Sequence, residues 1–139
     1  MSLSIRNQLS GTVTAISPGE VMAAVKVRLA GGQEITAAVT QEAVAELGLA
    51  PGTPVRALAK STEVALATGS VEGLSIRNHL PGTITEITSG GAMSGVKVAV
   101  EGGLLTSAVT TDAVTDLGLV VGTYVVALIK STEVSLATL

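Results

Sequence analysis

The sequence predicts a mainly β fold: two tandem OB-like small β-barrels, each with one short helix. Three observations predict it. A long internal repeat runs through the chain, short β-branched segments alternate apolar with polar residues, and turn residues punctuate them at close spacing. An SH3-like barrel is the alternative, because periodicity does not separate the two.

The repeat sets the organisation. Leu3-Ser4-Ile5-Arg6-Asn7 recurs as Leu74-Ser75-Ile76-Arg77-Asn78, and Val25-Lys26-Val27 as Val96-Lys97-Val98. Leu47-Gly48-Leu49 returns as Leu117-Gly118-Leu119, and Lys60-Ser61-Thr62-Glu63-Val64 as Lys130-Ser131-Thr132-Glu133-Val134. One residue is deleted between Gly103 and Thr106. The expected modules are residues 1–69 and 74–139, joined by a short Gly-bearing linker at 70–73.

Within the first module the elements follow in order. Leu3 to Ile16 is rich in β-branched residues and reads as a strand from Leu3 onward, with a bend or bulge at Ser10-Gly11. Ser17-Pro18-Gly19-Glu20 is a turn. Met22 to Leu29 alternates around Lys26 and Arg28, as a half-buried strand does. Gly31-Gly32 turns it into Ile35 to Thr40. Thr40 caps a helix from Gln41 to Leu47, which Gly48 stops. Pro51-Gly52 makes another turn, and Val55 to Ala59 and Val64 to Thr68 are the last strands.

Composition narrows the function. A module of about 65 residues buries only about 60% of its unfolded surface. There is no Cys, Phe or Trp, and Tyr124 is the only aromatic residue, yet 47% of the chain is hydrophobic. Many small apolar side chains in a small unit predict burial against the other module and against other subunits. The lack of Cys fits a reducing compartment. Met1-Ser2-Leu3-Ser4 has no basic or apolar leader pattern, so no secretory signal is expected. The longest apolar run, Tyr124 to Ile129, is far below the roughly 20 residues of a membrane span. Eight basic residues and a net charge of −3, without stacking aromatics, argue against a nucleic-acid partner.

Few residues carry chemistry. The cations present in both repeats are Arg6/Arg77, Lys26/Lys97 and Lys60/Lys130, whereas Ala99 and Val126 replace Arg28 and Arg56. On a strand, Ser4 and Arg6 would share one face and offer a hydroxyl beside a guanidinium fork, a pair suited to a tetrahedral anion. The same pair is also an ordinary exposed strand surface. Lys60-Ser61-Thr62-Glu63 reads as a turn whose backbone N–H groups form an anion nest or are simply solvated. Thr40 and Thr110 open the helices, where free N–H groups favour an anion or a plain threonine cap. Glu42 and Asp112 in the same turns oppose an anion. The carboxylates form no acid–base pair, and the lone His79 has Gln8 as its counterpart. Neither catalysis nor a directly ligated metal is expected.

These residues resemble the Mop, or molbindin, domain of the wider TOBE class. The resemblance rests on Ser-Ile-Arg-Asn-Gln-Leu-Ser-Gly-Thr-Val near the start, Ala-Val-Thr before the helix, Leu-Gly-Leu after it and Leu-Ala-Lys-Ser-Thr-Glu-Val near the end. It covers nearly the whole chain, twice, and is strongest to two-repeat cytoplasmic molbindins. It implies an OB-like fold and a homotrimer with sites between subunits. It also implies non-enzymatic storage or buffering of molybdate and tungstate in the cytoplasm. The ligand is then an inorganic oxyanion; no cofactor, nucleic acid or membrane is implied. The implied ligand set is Ser4 and Arg6 of one module with Thr40, Lys60 and Ser61 of another, and likewise Ser75, Arg77, Thr110, Lys130 and Ser131. Ala43 and Ala113 stand where some relatives carry serine, while Pro81 replaces Ser10 and His79 replaces Gln8. The second function class is an oxyanion-sensing module acting on a transporter or transcription factor. An OB-type oligonucleotide or oligosaccharide binder lacks its aromatic platform here.

The thin core makes one prediction. Size-exclusion chromatography with light scattering should report a stable oligomer, and a stable monomer would contradict it.

Overall fold

The computed structural model describes residues 2–139; Met1, which opens the expected first module, lies outside them. Ten strands and two short helices follow in order. The first repeat contributes β1 (Asn7–Ser17), β2 (Met22–Leu29), β3 (Glu34–Thr40), α1 (Gln41–Leu47), β4 (Pro54–Ala59) and β5 (Ala65–Ala67). The second contributes β6 (Asn78–Ser89), β7 (Met93–Val100), β8 (Gly103–Thr110), α2 (Thr111–Leu117), β9 (Tyr124–Ile129) and β10 (Ser135–Thr138). Single 3-10 turns, Ser61–Glu63 and Ser131–Glu133, precede β5 and β10.

The expected β architecture is present, as two curled five-stranded antiparallel sheets. Their strand orders are β10-β4-β1-β2-β3 and β5-β9-β6-β7-β8. Each sheet therefore takes four strands from one repeat and an edge strand from the other. Ser135 to Thr138 pair with Leu58 to Val55, and Ala65 to Ala67 pair with Leu128 to Val126. The segment expected as the last strand of the first module thus lies in the second sheet. Periodicity assigns a strand but not its partner, so sequence alone does not show the exchange.

β1 serves two neighbours. Its first half, Asn7 to Thr12, pairs with β4, and Gly11 to Ser17 pair with β2. The register shifts between Val13 and Ala15, leaving Thr14 as the extra residue of a bulge. Thr85 occupies the same place in β6. Bulges bend a strand and increase its twist, which curls each sheet. The expected break at Ser10-Gly11 is absent, because β1 runs straight through it. Gly11 serves close approach instead: a Cβ there would stand 2.7 Å from the Arg28 carbonyl oxygen and from a Val27 methyl.

The core runs across both repeats. Val13, Val25, Val27, Ile35 and Val55 of the first sheet pack in one buried cluster with Leu80, Leu105, Ala127, Ile129 and Val134 of the second repeat. A smaller cluster of Ile84, Val96, Val98, Leu119 and Val125 lies within the second. A core made of Val, Leu, Ile and Ala in units this small is completed by the other unit, as the composition implies.

Two buried asparagines join the sheets. The Asn7 Nδ2 donates to the Thr106 carbonyl and its Oδ1 accepts from the Thr106 N–H, both at 2.8 Å. Asn78 makes the same two bonds to Thr36, again at 2.8 Å. Thr36 and Thr106 lie on the edge strands β3 and β8, so each amide satisfies one backbone donor and one acceptor of an open edge. The Ser107 hydroxyl, fully buried, donates to the Val64 carbonyl beside the crossing chain. The hairpin turns also meet. A Cβ on Gly102 would lie 2.6 Å from the Gly31 nitrogen, and one on Gly31 would strike the Glu101 carbonyl.

Two outcomes follow. Asn78→Ala strands both polar groups of Thr36, at a cost of about 1–3 kcal/mol in urea denaturation. Asn78→Asp, which loses only the donor, should also destabilise. Gly52 and Gly102 both hold positive φ, but only Gly102 has backbone packed against it. Each substitution to Ala should cost about 1–2 kcal/mol for the left-handed conformation, and thermal melts should show Gly102→Ala losing more.

Candidate anion-binding site

The Ser-Arg segments are not strands. The β1 ladder begins at Asn7, paired with Ala59 at the end of β4, and pairing with β2 begins only at Gly11. Residues 3–6 therefore have no neighbouring strand, and irregular backbone replaces the expected shared face of Ser4 and Arg6. The Arg6 guanidinium turns back on its own segment, donating to the Leu3 carbonyl at 2.8 Å and the Ser4 carbonyl at 3.3 Å. A side chain then anchors the segment. Gln8 donates from Nε2 to the Ile5 carbonyl at 3.0 Å, and His79 does the same to Ile76 at 2.7 Å. The Gln-to-His difference between repeats thus conserves a contact.

The segments lie beside the Lys-Ser turns of their own repeats. Because Asn78 pairs with Ile129, the next residues outward are Arg77 and Lys130. Ser75, Arg77, Lys130 and Ser131 line one open pocket of about 300 Å³. Four of the five residues expected in the second set are thus together, and all four come from one repeat. The expected arrangement crossed modules between the Ser-Arg and Lys-Ser pairs; within the chain the structure groups them differently. In the first repeat, Lys60 lines a smaller pocket with Ile5, Thr132, Glu133 and Ser135. A carboxylate-bearing residue from the second repeat therefore stands near Lys60.

Each Lys-Ser turn is a 3-10 turn with extended backbone at Lys60 and Lys130. No residue other than glycine has positive φ among the described residues, so the turn is no alternating-handed nest. As at any helix start, its first N–H groups have no partner within the turn. The Ser61 Oγ is buried and has no hydrogen-bond partner among the described residues. Such an atom calls for a ligand or a solvent molecule.

The threonines cap. The Thr40 and Thr110 hydroxyls accept from the Ala43 and Ala113 N–H groups, both at 3.1 Å. The Gln41 and Thr111 N–H groups donate to the Val21 and Ala92 carbonyls. The helix starts expected to be free are thus largely satisfied. Each capping hydroxyl keeps its own proton to donate. Thr40 shares its pocket with Glu20, Gln41 and Glu42, apart from Lys60 and Ser61. The crossing chain connects these parts indirectly: the Ser131–Glu133 turn packs against β3, which ends at Thr40, and the Ser61–Glu63 turn packs against β8, which ends at Thr110.

The remaining shared cation lies elsewhere. Lys97 sits 3.7 Å from Glu86 in an exposed ion pair, and Lys26 is exposed on β2. Sequence reasoning missed Asn7 and Asn78 as the residues that fix the sheets. Their recurrence directly after each Ser-Ile-Arg was the available signal.

Comparison with known proteins identifies the family of the chain. The TOBE domain family model matches residues 3–66 and 74–136. The chain is 38% identical over 139 residues to the molybdenum transport protein ModE of Herbaspirillum seropedicae, covering 99% of this chain and 52% of that protein. It is 40% identical over 136 residues to the molybdenum-pterin-binding protein MopB of Rhodobacter capsulatus, covering 96% of this chain and 50% of that one. It therefore spans about half the length of these curated relatives. Among solved structures, the cytoplasmic molybdate-binding protein ModG, with molybdate bound, superposes with a TM-score of 0.96 at 42% identity, over 100% of both chains. Matched twice by the same model over nearly its whole length, the chain belongs to the TOBE domain family.

Proposed function

We propose that the chain binds molybdate or tungstate without catalysing a reaction, and serves as a cytoplasmic store or buffer of the oxyanion. The observation that carries this reading is the pocket where Ser75, Arg77, Lys130 and Ser131 meet. Two cationic side chains offset a dianion, and two hydroxyls with the first N–H groups of the turn supply donors. Hydrogen bonds to charged groups contribute about 1.5–3 kcal/mol each. A handful, less desolvation and ordering, reach the roughly −8 kcal/mol of micromolar affinity. Similarity over full length to a molybdate-bound protein supports the same reading.

The proposed assembly is a homotrimer whose sites are completed between chains. Met22 pairs across the sheet with Thr40, and Met93 with Thr110. These methionines are 45% and 48% exposed, and Leu47 and Leu117 at the helix ends are exposed as well. An apolar rim repeated beside both candidate threonines fits burial against another subunit. Docking there would set Thr40 or Thr110 of one chain against the Arg-Lys pocket of another.

A second reading has its own support. The matched ModE relative is named for molybdenum transport and is about twice as long, so the same double module also suits an oxyanion sensor acting on a transporter or transcription factor. A pull-down that recovers such a partner only with molybdate present would favour sensing.

Calorimetry with molybdate, tungstate, sulfate and phosphate, with native mass spectrometry of the same sample, tests the proposal. Arg77→Ala and Lys130→Ala should each weaken molybdate binding at least about tenfold, the loss of one charge-assisted contact, while the oligomer persists. Arg6→Ala and Lys60→Ala test the first repeat in the same way. Unchanged titrations in all four variants would remove the site assignment, and no heat with either molybdate or tungstate would remove the function.

A further inference from the structure

The two sheets are built alike but present opposite chemistry on their outer faces. Residues directly opposite on neighbouring strands share a face. Ser10 lies opposite Arg56, and Thr12 opposite Arg28. Their inward neighbours, Val13, Val27, Leu29, Val55 and Ala57, are buried, so these four side chains stand on the outside. At the equivalent positions of the second sheet, Pro81 lies opposite Val126 and Thr83 opposite Ala99. One repeat thus flanks two hydroxyls with two arginines where the other is largely apolar.

We propose that the outer face of the first sheet is a second anion site, formed by Ser10, Thr12, Arg28 and Arg56, that takes a tetrahedral phosphate group. An open groove of about 410 Å³ lies there, lined by Ser10, Gly11, Thr12, Thr14, Arg28, Leu29 and Ala30, and Arg56, opposite Ser10, stands beside that lining and not in it. The arginines sit on the strands either side of β1, two strand spacings apart and offset by two residues along it, about 12 Å between their backbones. Two long side chains converge across that gap onto an anion seated over Ser10 and Thr12. Arg56 is readily redirected, since its contact to the Gln8 Oε1 is 3.5 Å, at the weak limit of a hydrogen bond. The Thr14 hydroxyl already donates to the Lys26 carbonyl at 3.3 Å. Lys26 is exposed next along β2 and adds positive charge, while Glu34, opposite Arg28 on β3, opposes it. Three cations against one acid leave this face positive on a chain whose net charge is −3. The site shares no residue with the candidate oxyanion pocket, so either stands without the other.

The repeat itself supplies the test. Arg28→Ala with Arg56→Val copies the second repeat, whose identical fold tolerates those residues. Inorganic phosphate is titrated at constant ionic strength while backbone amide shifts of Ser10 to Thr12 are followed by NMR. The wild-type chain should show saturable shifts there and none at Gly82 and Thr83, and the double variant should bind at least tenfold more weakly. The reverse graft, Pro81→Ser with Ala99→Arg and Val126→Arg, should create saturable shifts at Gly82 and Thr83. Glycerol phosphate in a parallel arm separates a phosphomonoester ligand from free phosphate. Equal binding by the wild type and the double variant, shifts that never saturate, or a folded graft without any gain would each overturn the proposal.

Discussion

The hydrogen bonding of two asparagine amides to two strand edges governs the rest of the architecture. A sheet edge leaves backbone donors and acceptors open, and in each half of this protein the edge strand lies against the other repeat. Asn7 and Asn78 each present one donor and one acceptor at the spacing of a strand, so a side chain substitutes for a partner backbone. Fixing β3 and β8 in this way also fixes what passes over them. The Ser131–Glu133 and Ser61–Glu63 turns pack on these strands, and the Lys-Ser pairs stand at the openings of those turns. The asparagines directly follow Arg6 and Arg77, so one short segment sets both the joint between the sheets and the guanidinium of the candidate site.

Much of this was legible in the sequence. The helix bounds follow from Thr40 and Gly48, a side-chain cap and a left-handed stop whose chemistry is local. β2 was visible because Lys26 and Arg28 interrupt a buried row of Val25, Val27 and Leu29. Local signals failed where the determinant is distant. Residues 3–6 have strand-like composition but no strand beside them. Gly11 looks like a breaker yet serves close approach to β2, and the bulge falls instead at Thr14, an unremarkable strand residue. The exchange of β5 and β10 is invisible to periodicity, since a strand reads the same whichever sheet receives it.

The candidate site was legible as residue types and not as geometry. Ser75, Arg77, Lys130 and Ser131 were all named from their recurrence and their chemistry, and they line one pocket. Their grouping depended on the register of Asn78 against Ile129, a tertiary fact. In the first repeat, nearly identical in sequence here, the Arg6 guanidinium donates to the Leu3 and Ser4 carbonyls.

The exchanged strands make the chain a tethered dimer of its own halves. Each half is finished only when it receives a strand from a second copy, and the linker between Gly69 and Gly73 keeps that copy at high effective concentration. Exchange between separate chains would link them head to tail, as in an open domain-swapped polymer. Duplication within one chain closes the swap on itself. The short glycine-bearing connection thus lets each half receive its edge strand from the same chain, with no second chain needed to complete either sheet.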